Sequence, residues 1–256
     1  MRRIEVRVGA LAGIGLFLHA SWFLVLGLVV WATAGAFAEI YPELPWAERA
    51  GMGLAAGLAF FGCLVVHELA HALAARRLGV AVRRITLFLF GGVAEIAGEL
   101  PSASAEFAVA LVGPATSLLL GSAFGLLAVR VGGSPALEGV TGTLALVNLG
   151  VALFNLLPGL PLDGGRLLRS VLWSRTGSFA RATRVAGLLG RGIGVAMALA
   201  GVLVAALGRE PAALWYVPMG GFLVLLASRA SRSAGPPDAA GALAWEREGP
   251  TAQPRP

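Results

Sequence analysis

The sequence predicts an all-α, polytopic membrane protein of about six transmembrane helices, with one short β-strand or re-entrant segment at 79–99. Three observations carry this. Apolar residues make up 57 % of the 256 and charged residues 13 %, about half the ~25 % usual for a soluble domain, and mean hydropathy is +0.80. Charge-free apolar runs recur along the chain at the length of membrane spans. The basic residues cluster in alternate connections between those runs. Such a chain is neither a water-soluble globule nor a disordered one, which needs low hydropathy and high charge. The single cysteine excludes a disulfide framework or a thiolate zinc cluster.

A helix crossing the hydrocarbon needs ~20 apolar residues. The runs are Val8–Ala38, Ala50–Val66, Phe107–Val129, Gly139–Leu162, Gly192–Gly208 and Pro211–Ser228, the last two separated by a tight hairpin at Arg209–Pro211. The first has a basic start and an Ala36-Phe37-Ala38 triplet resembling a cleavage site. Its apolar stretch is about twice the 7–15 residues of a signal peptide, so it is expected to stay as a span.

All twenty basic residues are arginine, and the net charge is +6. With the N-terminus threaded inside, only Arg49, Arg130 and Arg209 fall outside, leaving seventeen of twenty on the cytoplasmic side. That is the positive-inside pattern. It predicts a multi-pass protein of the cell membrane with both termini cytoplasmic. The basicity then reports topology and contact with the lipid bilayer, so no nucleic-acid partner is expected.

Residues 79–99 are rich in β-branched and aromatic types around a Gly91-Gly92 break, which predicts short strands at the cytoplasmic face. Residues 1–230 are expected to form one membrane-embedded domain. The Pro-, Gly- and Ala-rich stretch 231–256 is expected to be a disordered cytoplasmic tail.

Ionisable groups inside a membrane cost about 2.5–3.5 kcal/mol each on insertion scales, so each needs a reason. The second run ends in Val66-His67-Glu68-Leu69-Ala70-His71. On a helix, His67 and His71 lie one turn apart on one face and can share a zinc ion, while Glu68 projects about 100° round towards the metal's open side. The HExxH pattern arises by chance in under about 1 % of chains this long, and two of the three histidines sit in it.

Catalytic zinc takes three protein ligands. Asp163 is the only acidic residue between Glu138 and Glu210, at the inner end of the fourth run, where Pro158 and Pro161 unwind the helix. A helix cap at the interface is its bland alternative. Zn²⁺ with ionised Asp163 and Glu68 sums to zero charge, which is far cheaper to bury than any member alone.

HELAH, Phe90-Gly91-Gly92-Val93-Ala94, Gly113-Pro114 and Asn155…Pro158…Pro161-Leu162-Asp163-Gly164-Gly165-Arg166 together resemble the site-2 protease family of intramembrane zinc metalloproteases, over roughly residues 10–230. The resemblance implies one Zn²⁺ held by His67, His71 and Asp163. It also implies Glu68 as catalytic base and Asn155 in contact with substrate or the developing oxyanion. Leu18-His19-Ala20-Ser21-Trp22 resembles, more loosely, the His-containing first span of a branch that often carries a pair of cystathionine-β-synthase-type domains. Neither that pair nor an inserted PDZ domain is expected here.

The function expected is hydrolysis of a peptide bond in or near the transmembrane segment of another membrane protein, such as an anti-sigma factor or similar single-span regulator. A helical substrate must unwind, and strand addition to the segment carrying Phe90, Gly91, Gly92 and Val93 is a way to hold it. The competing readings are a catalytically silent membrane binding protein, which has no need of Glu68, and a metal or proton transporter, which usually shows repeated broken helices. Cys63 is expected to be a small core residue, since His71 lies about 12 Å further along the helix. His19 is open between site ligand, gate and buried hydrogen-bonder. Glu95 and Glu99 are expected on the wet cytoplasmic face. The glycine pairs Gly53/Gly57 and Gly190/Gly194 fit close helix packing without settling any oligomer.

Overall fold

The first apolar run does not begin as a helix. The computed structural model describes residues 5–88, 91–97, 100–208 and 211–233. In it, Glu5–Leu11 and Ile14–His19 form antiparallel strands β1 and β2, and helix α1 spans only Ser21–Ile40. The turn between the strands is Ala12-Gly13, both at positive φ (50° and 76°). Two such residues suit a tight hairpin that follows strand twist. Strand β3 (Ala81–Phe88) pairs parallel with β2, from Gly15↔Arg84 to Leu18↔Leu87, and antiparallel with β4 (Gly91–Ala97). The sheet order β1-β2-β3-β4 leaves β4 with a free edge among the described residues. The strands expected within 79–99 are therefore present, and the N-terminal hairpin is an addition to them.

The described residues fall into two compact units, divided between Leu156 and Leu157. In the first, α2 (Trp46–Arg77) is 32 residues long, about 48 Å of rise against a hydrocarbon core of ~30 Å. Its last turns carry the sheet: Ala72 and Ala75 pack with Ile14, Val82, Ile85 and Val109, all buried. Arg84 ties three strands together, donating from Nη1 to Glu5 Oε2 at 2.9 Å and from Nη2 to Glu95 Oε1 at 2.6 Å, with its guanidinium 5.4 Å over the Phe17 ring. The bond to Glu95 raises its already high pKa further. Glu95 thus serves as a strand clamp.

Helix α3 (Ala103–Arg130) starts at Ser102, whose Oγ accepts from Ala105 N at 3.1 Å. Helix α4 (Pro135–Asn155) has Pro at its first position and stops before Pro158. A Cβ on Gly53 would lie 2.9 Å from Val30 O, and one on Gly57 3.2 Å from Leu26 Cδ1. That glycine pair is occupied by α1.

The second unit comprises α5 (Asp163–Thr176), α6 (Phe179–Ala206), a 3₁₀ turn (Pro211–Trp215) and α7 (Tyr216–Ser233). Helix α6 begins well before the predicted span at Gly192, because Arg181, Arg184 and Arg191 interrupt a charge-free run without interrupting the helix. Arginine's apolar stem covers helix surface while its head stays in water. Ser178 caps it, accepting from Arg181 N at 3.2 Å. The second glycine pair also serves inside the chain: a Cβ on Gly194 would lie 2.6 Å from Gly220 O, and one on Gly190 would overlap the Leu160 carbonyl. Leu160 N donates to Ala186 O at 3.0 Å, so the 157–162 loop is seated on α6. Gly190→Ala should therefore lower stability by about 1–3 kcal/mol, the range for overpacking, read as a lower unfolding temperature in detergent with α6 still helical.

Among the described residues, six helices are long and apolar enough to cross a membrane: Ser21–Ile40, Trp46–Arg77, Ala103–Arg130, Pro135–Asn155, Phe179–Ala206 and Ala212–Arg232. The expected hairpin residues Arg209 and Glu210, and the tail beyond Ser233, lie outside the described residues.

Candidate metal centre

HELAH sits inside the continuous helix α2, so the i, i+4 spacing turns both histidines to one face. That face is buried: His67 is 3 % exposed and His71 4 %. Helix α3 runs alongside and engages both rings. His71 Nδ1 lies 2.6 Å from Val109 O, and His67 Nδ1 lies 2.8 Å from Ser117 Oγ. A carbonyl can only accept, so His71 carries a proton on Nδ1, and the neutral ring then offers the Nε2 lone pair. The two Nε2 atoms face each other at 3.2 Å.

This pairing fits a shared metal ion. Two nitrogens each 2.0–2.1 Å from a tetrahedral zinc are about 3.3–3.4 Å apart. Gly113 makes room for it. A Cβ there would overlap His71 Nε2 and come 2.7 Å from His67 Nε2. Pro114, next along, has no N–H to donate to the Ala110 carbonyl one turn earlier.

Asp163 is the first residue of α5 and is 8 % exposed. It starts a new helix after the 157–162 loop, where the sequence suggested the end of the fourth span; Pro158 and Pro161 make the break. Its carboxylate gains from the positive end of that helix. Gly165 follows because a Cβ there would overlap the Gly159 backbone. His67 and His71 lie in the first unit and Asp163 opens the first helix of the second; all three are buried, and two imidazoles with one carboxylate are a donor set that suits zinc.

Glu68 is half-buried, and β4 lies against it: a Cβ on Gly92 would be 2.5 Å from Glu68 Cγ and 3.1 Å from Oε1. The strand passes the carboxylate only because residue 92 has no side chain. Gly91 and Val93 flank it in β4, and Phe90 lies outside the described residues. Asn155 ends α4 with Nδ2 donating to Val151 O at 3.0 Å, its amide turned onto its own helix.

His19 ends β2 instead of lying in a span, and its Nδ1 is 2.8 Å from Ser21 Oγ at the start of α1. Cys63 is buried and free, as expected of a core residue. The sequence reading missed Ser117 and the Val109 carbonyl. Ser117 did carry a signal, a polar residue one turn beyond Gly113 within the third apolar run.

The similarities to known proteins run through these residues. The model for peptidase family M50 matches residues 55–143 and 134–200, taking in HELAH, Gly113, Ser117, Asn155 and Asp163. A candidate zinc metalloprotease of Synechocystis sp. is 38 % identical over 234 residues, covering 90 % of this chain and 60 % of that protein. Another, Rip3 of Mycobacterium tuberculosis, is 38 % identical over 224 residues, covering 86 % and 57 %. This chain therefore spans less than two thirds of the length of these relatives. Among solved structures, the site-2 protease from Methanocaldococcus jannaschii matches with a TM-score of 0.61 at 26 % identity, over 89 % of this chain and 95 % of that one. With the family model covering more than half of its length, and with a fold shared with a solved site-2 protease, the chain belongs to peptidase family M50.

Proposed function

We propose that this protein is an intramembrane zinc metalloendopeptidase that hydrolyses a peptide bond in or near the transmembrane segment of another membrane protein. The observation that carries the reading is the pair of buried imidazoles with Nε2 atoms 3.2 Å apart and Nδ1 atoms engaged by α3. That spacing matches the separation of two nitrogens bound to one tetrahedral zinc. His67, His71 and Asp163 would hold one Zn²⁺, which when bound acts as a Lewis acid and makes water nucleophilic near neutral pH.

The residues around it supply the rest. Glu68 takes the proton of the attacking water as its oxygen bonds to the peptide carbon. The C–N bond then breaks, and Glu68 hands that proton to the leaving nitrogen. The Asn155 amide, released from Val151 O, is available to the developing oxyanion. The free edge of β4 supports strand addition by an unwound substrate beside Glu68, with Gly91, Gly92 and Val93 in the pairing stretch and Phe90 before it. By the arginine distribution, the site lies near the cytoplasmic side of the cell membrane. A single-span regulator such as an anti-sigma factor is a substrate of this kind, and its cleavage would be regulated intramembrane proteolysis.

The test is metal removal. The full chain, reconstituted in liposomes with a single-span substrate, should cleave it at positions read by mass spectrometry, stop when zinc is chelated, and resume when zinc is returned. Asp163→Ala should bring zinc from about one per chain to almost none. A zinc-loaded wild type that moves zinc or protons across the liposome and cuts no membrane segment would establish the transporter instead.

A further inference from the structure

The hydroxyls along these helices mostly turn back on their own backbone. Thr33, Thr116, Thr141, Thr183 and Ser231 each donate to the carbonyl four residues earlier, at 2.6–2.9 Å. This is the usual arrangement for a helical hydroxyl with no other task. Ser117 is different. It is 1 % exposed, and its Oγ reaches across to α2, 2.8 Å from His67 Nδ1 and fifty residues away in sequence.

We propose that Ser117 is a positioning residue of the metal centre, accepting the Nδ1 proton of His67 and thereby presenting His67 Nε2 as a bare lone pair to the ion. This rests on the zinc-site reading above. The direction of the bond follows from the neighbouring ring. The Val109 carbonyl obliges His71 to protonate at Nδ1, so His71 Nε2 is bare. One cation can lie between the two Nε2 atoms only if His67 adopts the same tautomer. Were Ser117 the donor, His67 would carry its hydrogen on Nε2, aimed at the ion. Val109 and Ser117 stand eight residues apart on one stripe of α3, with Gly113 midway between them. Helix α3 therefore holds both rings from behind while leaving space in front. The Val109 contact is main-chain and survives substitution; the Ser117 contact is a side chain and can be removed alone.

The experiment measures zinc affinity of the full chain in detergent by chelator competition, together with the unfolding temperature of the zinc-free protein. Ser117→Ala should weaken zinc by about 10–100-fold, the range for outer-shell partners, with the zinc-free protein still folded and its unfolding temperature lowered only by the loss of one buried hydrogen bond. Ser117→Thr, which keeps the oxygen, should restore affinity to within a few-fold. Nitrogen NMR of the labelled imidazoles should show His67 protonated at Nδ1 in wild type and a mixture of tautomers in Ser117→Ala. Unchanged affinity in Ser117→Ala would overturn the proposal. So would a loss that Thr does not restore, since that is a packing effect. A wild-type chain that binds no zinc would overturn the site reading itself, which is a separate result.

Discussion

Glu68→Gln should leave the metal content of the protein unchanged and reduce peptide cleavage by about 10²–10⁴-fold, the usual contribution of a positioned general base. The two halves of this expectation come from different parts of the geometry. Glu68 follows His67 directly, so its side chain leaves the helix about 100° away from the direction of the histidines. Its removal therefore leaves both imidazoles with their α3 partners intact. Glutamine keeps the shape that packs beside Gly92 and loses only the capacity to take and return a proton. Zinc by elemental analysis and cleavage products by mass spectrometry are the paired readouts. Cleavage at the wild-type rate would remove Glu68 from the chemistry. Loss of zinc would mean that Glu68 belongs among the ligands.

The histidine pair was readable in the sequence because its geometry is local: four residues of helix fix the relative positions of His67 and His71 whatever else the chain does. The strands at 81–88 and 91–97 were readable for a similar reason, since β-branched residues around a glycine pair state a local preference. What could not be read depends on contacts between distant stretches. Residues 8–20 are apolar and charge-free, which suits a membrane helix as well as a buried strand, and composition does not separate the two. Pairing of Gly15–Leu18 with Arg84–Leu87 decides for the strand. The only local sign was Ala12-Gly13 ahead of it, and an alanine at positive φ leaves no mark in composition. Helix α6 was read short for the opposite reason, because its arginines look like an end when charge is the criterion. Ser117 stands out as a polar residue in the third run, but its spacing does not say that it meets residue 67, fifty positions away. Asp163 was reached by elimination and by family resemblance, its helix boundary correctly broken by two prolines but its place as the first residue of α5 unforeseen.

Gly113→Ala should weaken zinc binding by more than about 100-fold, beyond the upper range for outer-shell changes, while α3 stays helical and the zinc-free protein loses no more than about 1–3 kcal/mol, as is typical of overpacking. A loss of affinity much larger than the loss of stability makes the substitution informative. Within a helix, alanine is favoured over glycine by about 0.8–1.0 kcal/mol, so a glycine with no other role would be improved by the change. At position 113 the new methyl would overlap His71 Nε2 and crowd His67 Nε2, the two atoms that converge on the metal position. Side-chain ends often escape such a clash by rotating. Here each ring is tethered on its far side, His71 to Val109 O and His67 to Ser117 Oγ, both on the helix that carries the methyl. Turning either ring away breaks a buried hydrogen bond and swings its lone pair off the shared point. Zinc affinity should collapse while helical content holds and the unfolding temperature of the zinc-free protein falls only by what one crowded contact costs. If Gly113→Ala binds zinc as tightly as wild type, the metal is held elsewhere than between these imidazoles, whatever the HELAH spacing suggests.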